Sequence, residues 1–503
     1  MKRILSGITL TLLLTVTLAL AFNVQPVKAG GTIYIRVDGS IDPPTANITT
    51  LDNVTYTFTG NVNDSIVVEM NNIVIDGAGF TMRGNWEGHG IDLSNRSHVT
   101  VKNVRIVNFN GGINLASSSN NNITGNILLN NLWGIYLWSS NSNVITNNSI
   151  YLNSLNGIRL NYSNNNTITE NYLSTNNLYG IILSYSSNNT LTHNNITNNE
   201  DGIRVASSSD NNLLVGNNAL TNHNGIFLSY ASKNTLTANN LYNNDFGIYL
   251  WSSHNNTYAN NNISDNGEGT LLGASRNNVI FHNNFTNNNA QASVTPGYAN
   301  VWDDGYPSGG NYWSDYNGTD VKICIYQNET GNDGIGDTPY VIDADNKDRY
   351  PLMGPIYNFD AGIWNGTAYN VSVVSNSTIS DFHLDAVQRM IKFNVTGLKD
   401  TMGFCRVTIP NIIVQSLWQG NYTILLNGEP WPFRNWTNTE NTYIYINYTH
   451  SEHEITIVPE IPSTIILTLF MTLTMLAAAF AEKRVPRNSR PKSRNYHSSF
   501  PSP

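Results

Sequence analysis

Residues 134–180 read GIYLWSSNSNVITNNSIYLNSLNGIRLNYSNNNTITENYLSTNNLYG, and the Gly that opens the stretch returns at 157 and 180. Outward from it the same phrase stands at Gly90-Ile91, Gly112-Ile113, Gly134-Ile135, Gly157-Ile158, Gly180-Ile181, Gly202-Ile203, Gly225-Ile226 and Gly247-Ile248, with Gly269-Thr270 as a degraded ninth. The period is 22 or 23 residues. Two further phrases keep step. An apolar residue stands three before an Asn, as in Ile123/Asn126, Ile145/Asn148 and Leu191/Asn194, and another stands two after it, as in Leu128, Ile150 and Ile196. Each unit thus carries three short apolar beats parted by Asn-rich turns.

Nothing in these units repeats at 3.6 over ten positions, so they are not helices. They predict three short strands and three turns. One such unit cannot bury its own apolar residues, but stacking it on copies about 4.8 Å apart closes a tube with an aliphatic interior, a parallel β-helix. Asn suits the turns because it tolerates the left-handed conformation and because its amide can bond the same Asn one coil away. Five or six buried aliphatics per coil are expected. A leucine-rich repeat has a similar period, but it needs a helical or extended convex segment, and these Asn-, Thr- and Ser-rich units hold few helix formers.

The chain has 503 residues, 12% of them charged, and a net charge of −9. A nucleic-acid partner is excluded by the lack of a basic face. Cys324 and Cys405 lie in different segments and form neither a disulfide framework nor a metal cluster. Residues 1–29 read as a signal peptide: Lys2-Arg3, an uncharged apolar run over 4–22, and Val27-Lys28-Ala29 as cleavage site. Residues 461–481 are 21 residues without a charge, long enough for a single transmembrane helix. The basic tail 482–503, with Lys483, Arg484, Arg487, Arg490, Lys492 and Arg494, is expected in the cytoplasm, leaving the bulk of the chain outside. Asn-x-Ser/Thr sequons outside the repeats, such as Asn47, Asn317, Asn365, Asn394, Asn421 and Asn447, agree with a glycoprotein at the cell surface.

Between the termini, 30–89 is expected to cap the tube and form its first coils, and 90–290 to carry the repeats. From 291 to 356 aromatics, Gly and Asp take over: Trp302-Asp303-Asp304-Gly305-Tyr306, Gly309-Gly310-Asn311-Tyr312-Trp313, and GNDGIGDTPY over 331–340. Repeats and tail together, about 60–356, resemble the NosD-type proteins, also grouped as carbohydrate-binding and sugar-hydrolase (CASH) repeats. That resemblance implies a right-handed, three-faced tube, and a family label that includes periplasmic copper binding. Residues 357–459 change pattern again, to strands over 369–374, 390–395, 404–409, 422–426, 443–448 and 454–458, spaced as in a small β-sandwich. This module resembles C-terminal modules of archaeal surface proteins. Val458-Pro459-Glu460-Ile461-Pro462-Ser463 resembles archaeal Pro-Glu-Phe sorting signals, with Ile461 in place of Phe.

Copper needs His, Met or Cys brought together. Residues 90–288 hold no Met or Cys, and their four histidines, His193, His223, His254 and His282, fall on different coils or turns. Copper is therefore not expected, nor is any cofactor required. A polysaccharide hydrolase or lyase would need acids on adjacent coils, and Asp245 and Glu268 are the candidates. Gly88-His89-Gly90 echoes a pectin-hydrolase motif, but the Asn-Thr-Asp and Asp-Asp motifs that should accompany it are absent. Asp333, Asp337, Asp343, Asp345 and Asp348, interleaved with Gly, have oxygen-rich spacing that calcium could use.

The outward positions around each Gly-Ile-x-Leu phrase are richer. They carry Trp133, Tyr136, Trp138, Arg159, Tyr162, Tyr179, Tyr185, Arg204, Phe227, Tyr230, Phe246, Tyr249 and Trp251. Aromatic faces flanked by Asn and Arg suit sugar rings; aromatic stacking that only stiffens the sheet is the competing account. The expectation is an exported, membrane-tethered β-helix protein of archaeal type that binds or presents glycan, or acts as a scaffold, without catalysis. A hydrolase or lyase is the first alternative and a NosD-like copper-maturation protein the second.

Overall fold

A computed structural model of the chain describes residues 31–460 and 472–476. Each repeat forms three strands: in one coil they are Trp133–Trp138, Val144–Thr146 and Ser149–Tyr151. Counterparts on successive coils pair in parallel, giving a first, second and third sheet of thirteen, twelve and eleven strands. Register is kept residue on residue, so Ile135, Ile158, Ile181, Ile203, Ile226 and Ile248 form one column. The all-β parallel tube expected from the period is what the chain forms. A typical coil buries four aliphatics, such as Ile135, Leu137, Ile145 and Ile150, all fully enclosed. The expected five or six is too high because the corners are filled otherwise.

One corner is closed by Gly. A Cβ on Gly134 would lie 2.5 Å from Gly157 O and 2.6 Å from the Ile150 methyl, so no larger residue fits where the third sheet turns into the first. All three corners carry Asn ladders. Asn148 is typical: its Oδ1 accepts from the backbone N–H and the amide of Asn126, and its own amide donates to Ile123 O and to Asn171 Oδ1, each at 2.8–3.0 Å. Every polar atom is paired, which is what lets an amide be buried at all. The left-handed conformation falls to the preceding residue, which varies: Asn147, Glu170, His193 and Ala238 all have φ near 55°. The two tasks expected of one Asn are thus divided between neighbours.

The degraded repeat has a packing reason. Tyr258 replaces an aliphatic in the second sheet, is fully buried, and points its hydroxyl at Thr270 Oγ1, 3.1 Å away. The smaller, polar Thr in the Ile column accommodates the larger Tyr and its hydroxyl.

Antiparallel strands Ile41–Asp42 and Ile48–Thr49 cover the first coil. At the other end residues 298–352 close the tube. Trp313 stacks on Phe285 and Tyr340 on Trp313, with centroids 4.4 and 4.2 Å apart. Each ladder receives a terminal partner there: Gln291 for Asn288, Asn346 for Asn300, and Asp348 for Asn311.

Strands from Ile356 to Pro459 form two five-stranded antiparallel sheets with one shared core, including Val371, Val373 and Val407 of one and Ile391, Phe393 and Ile457 of the other. A helix, Asn411–Trp418, lies against them through Ile413, Val414, Leu417 and Trp418. The expected signal peptide (1–29) and the basic tail (482–503) lie outside the described residues. Of the expected membrane span only 472–476 are described, in helical conformation. Among the described residues no helix is long and apolar enough to cross a membrane.

Candidate functional site

The first sheet has the longest strands of the tube, six residues in each central coil, and its outer surface carries the side chains singled out above. They form three rows rather than one strip. The first row is the residue before each Gly: His89, Gly111, Trp133, Asn156, Tyr179, Asp201, Asn224, Phe246 and Glu268 stand in register. Three residues on, a second row holds Tyr136, Arg159, Ile182, Arg204, Phe227 and Tyr249. The third row lies at the strand ends: Trp138, Tyr162, Tyr185, Tyr230 and Trp251, all exposed.

The first two rows pack among themselves. Arg204 sits 4.5 Å from the Phe227 ring centroid and 5.2 Å from that of Tyr179. It pairs with Asp201 at 3.0 Å, and Asn224 donates to the same carboxylate at 2.6 Å. Asp201 is 1% exposed, and burial pushes its carboxyl up despite these partners. Burial likewise raises the Tyr136, Tyr179 and Tyr249 hydroxyls and lowers His89. Phe227 stacks on Tyr249 at 4.5 Å. Twelve buried side-chain polar atoms among the described residues lack a hydrogen-bond partner, and six lie on this one face: His89 Nδ1, Trp133 Nε1, Asn156 Oδ1, Arg159 Nε, Asn224 Oδ1 and Glu268 Oε1. These atoms are themselves covered, so they mark polar groups left unpaired beneath this face rather than donors and acceptors offered to solvent.

The third row is the accessible one. Tyr162 and Tyr185 stack on each other at 4.9 Å and 6°, so these rings offer edges more than faces. This part of the row meets the stacking account. The two tryptophans differ. Trp138 is 41% exposed and stands at 67° to Tyr162; Trp251 is 42% exposed and lies over Gly273, where a Cβ would be 2.5 Å from the indole. They are five coils apart in register, about 24 Å at the strand spacing.

Sequence reasoning found the aromatic members, Arg159 and Arg204 but did not place Asp201, Asn156, Asn224 or His89 on this face. The signal was available, since all immediately precede the Gly of the period. Asp245 and Glu268 share no hydrogen bond. Asp245 instead holds His223, with Oδ2 2.7 Å from Nδ1, and Glu268 lies close enough to Tyr249 to help raise its hydroxyl.

The acidic tail is spent on the cap. Asp348 accepts from Asn311 N–H, Trp313 Nε1–H and Tyr350 N–H; Asp343 from Asp345 N–H and Asn346; Asp337 from Val321 and Lys322 N–H. Asp333 binds Ile335 N–H, and Asp345 is exposed. Asp320, unremarked in the sequence, takes the N–H groups of Asp333 and Gly334, and burial pushes its carboxyl up to about 7. Among the described residues no three His, Cys, Asp or Glu side chains converge as ligands for one ion.

A family model described as periplasmic copper-binding protein (NosD) matches residues 173–318, and one described as right handed beta helix region matches residues 61–219. These matches support a right-handed β-helix family for the tube. No curated protein matches the chain. Similar solved structures include the A-module of mannuronan C-5 epimerase AlgE4 of Azotobacter vinelandii, 15% identical over 56% of this chain and 85% of that one, TM-score 0.40. The periplasmic alginate epimerase AlgG is 16% identical over 53% and 84%, TM-score 0.36. DFA-IIIase of Arthrobacter chlorophenolicus A6 is 13% identical over 45% and 70%, TM-score 0.38. At these values the likeness identifies neither an activity nor a residue. The copper in the first description does not fit the residues matched. They contain no Met or Cys, and their histidines are dispersed: His223 on Asp245, His254 on Arg276 N–H, His282 against Ser308 O, and His193 exposed at the same corner as His282 but four coils away.

Proposed function

We propose that the chain binds polysaccharide along the outer face of the first sheet and does not alter it. The observation that carries this reading is the pair of half-exposed indoles, Trp138 and Trp251, five coils apart on one continuous face with the partly exposed guanidinium groups of Arg159 and Arg204 between them. A sugar ring is apolar on its C–H faces and polar at its rim, so flat indoles beside guanidinium donors are its natural partners. Platforms about 24 Å apart suit a chain of several rings better than a single sugar. The sequence supports a setting outside the cytoplasm through the apolar run, cleavage site and sequons, and the matched family is described as periplasmic.

The test is a glycan-array screen of the full chain beside a variant with Trp138→Ala and Trp251→Ala. Loss of binding in the variant, at an unchanged melting temperature, is the expected result. No binding by either protein removes the reading and leaves a surface scaffold. A second reading, polysaccharide cleavage, is favoured by one observation, the His223 imidazole against Asp245 one coil from Glu268. Release of reducing ends or unsaturated products from any bound glycan, abolished by Asp245→Asn, would establish it.

A further inference from the structure

The first two rows of the face hold an internal comparison. Asp201 and Arg204 occupy row one and row two of the same strand and form an ion pair at 3.0 Å. Two coils earlier the same two positions are Asn156 and Arg159. The cation is kept and the acid is replaced by its neutral isostere. Arg159 makes no hydrogen bond or ion pair with any described residue; its guanidinium carbon stands 5.9 Å from the Trp133 ring centroid and 5.7 Å from that of Tyr136. Trp133 Nε1–H, a donor on the adjacent coil, is without an acceptor too.

A half-buried guanidinium without a counter-charge is costly. Arg204 shows that this strand geometry readily places a carboxylate against the cation. Resting on the glycan-binding reading above, we infer that the polysaccharide is acidic and that a uronate carboxylate takes, at Arg159, the place that Asp201 fills at Arg204. The ring bearing that carboxylate lies beside Tyr136 and Trp138, which are next to Arg159 in register or on the same strand as its neighbours. Charge complementarity thus selects the ligand, while the two indoles supply the platforms. A uronate suits the site because a planar carboxylate matches the guanidinium edge.

The experiment measures affinity of the full chain for polygalacturonate, for its fully methyl-esterified form and for dextran sulfate, by calorimetry at fixed ionic strength. Wild type is expected to prefer the acid over the ester by about tenfold or more, as one charge-assisted contact would give. Asn156→Asp installs the internal carboxylate seen at Asp201, so it should erase that preference without lowering the melting temperature. Arg159→Met should erase it as well. Equal affinity of wild type for acid and ester, or an unchanged preference in Asn156→Asp, overturns the inference while glycan binding itself stands. Tighter binding of dextran sulfate than of polygalacturonate also overturns the uronate assignment. Failure to bind any of the three, with the glycan array blank, removes the underlying reading instead.

Discussion

At the scale of single residues, the fold depends on a division of labour between neighbours at each corner. Asn194 is buried and makes six hydrogen bonds: its Oδ1 accepts twice from Asn171, its amide donates to Ile168 O and Asn217 Oδ1, its N–H donates to that same Oδ1, and its carbonyl accepts from Asn218 N–H. His193, beside it, is exposed and holds only a left-handed backbone with φ 53°. Truncating Asn194 to Ala strands two donors and a carbonyl inside the protein. Each such group costs about 1–3 kcal/mol, so Asn194→Ala should lose at least about 3 kcal/mol of stability by denaturant unfolding. His193→Asn, which keeps a side chain at ease in that backbone region, should change it by less than about 0.5 kcal/mol. Equal effects at the two positions would show that the ladder is ornamental. Part of this was legible: the phrases place the ladder through Asn126, Asn148 and Asn194 and the column Ile, whereas the ladders through Asn143 and Asn153 show in the sequence only as Asn-rich turns. What hid was the coupling of Tyr258 to Thr270, because a swap that looks like decay in each phrase is one packing event across the tube.

At the scale of elements, the closing segment works by continuing the ladders, and its acids serve that end. Asp348 is completely buried; three N–H donors pull its carboxyl down, yet burial pushes it up to about 7, and Asp320 likewise. An unfolded Asp releases its proton near its ordinary value of 3.8. Between that value and 7 the folded state therefore holds protons that the unfolded state has lost, and stability falls as pH rises through this window. The melting temperature should be higher at pH 5 than at pH 8. Asp348→Asn should flatten that dependence, and at pH 5 it should cost about 1–3 kcal/mol, because an amide turned to serve Asn311 and Trp313 points its NH2 at the Tyr350 N–H. A variant as pH-sensitive as wild type would locate the effect elsewhere. Sequence spacing alone left these acids open to calcium, since Asp alternating with Gly serves backbone turns and ions equally well. The short helix Asn411–Trp418 escaped for a related reason: its Ile-Ile-Val core is β-branched, and eight residues hold too little periodicity to reveal that 413, 414, 417 and 418 share a face.

At the scale of the whole molecule, the question is how the tube and the antiparallel sheets behave as one body. The six strands expected between 369 and 458 all form, because alternation marks a half-buried strand wherever it occurs. The joint could not be read this way, since it depends on residues far apart in the chain. Asn284, in the third sheet, exchanges two hydrogen bonds with Ile356, at 2.8 and 2.9 Å. Arg406 projects from the sheets into the cap, is 1% exposed, and donates to the carbonyls of Asp333 and Pro307 while packing beside Tyr443 and Trp436. A buried guanidinium satisfied by cap carbonyls binds the two halves only while both are folded. Replacing it with Met keeps much of the volume but leaves both carbonyls without their donor, a loss of about 2–5 kcal/mol concentrated at the joint. The carbonyl partners of Arg406 belong to neither the core of the tube nor that of the antiparallel module, so each of these two cores should survive the change. Arg406→Met is therefore expected to split the calorimetric transition into two, the antiparallel module melting first because its core is smaller and lacks ladders. A single transition, merely shifted to lower temperature, would mean that the halves are coupled through the buried cluster of Ile335, Leu352, Ile356, Val374 and Phe404 and the contact of Asn284 with Ile356 rather than through the arginine.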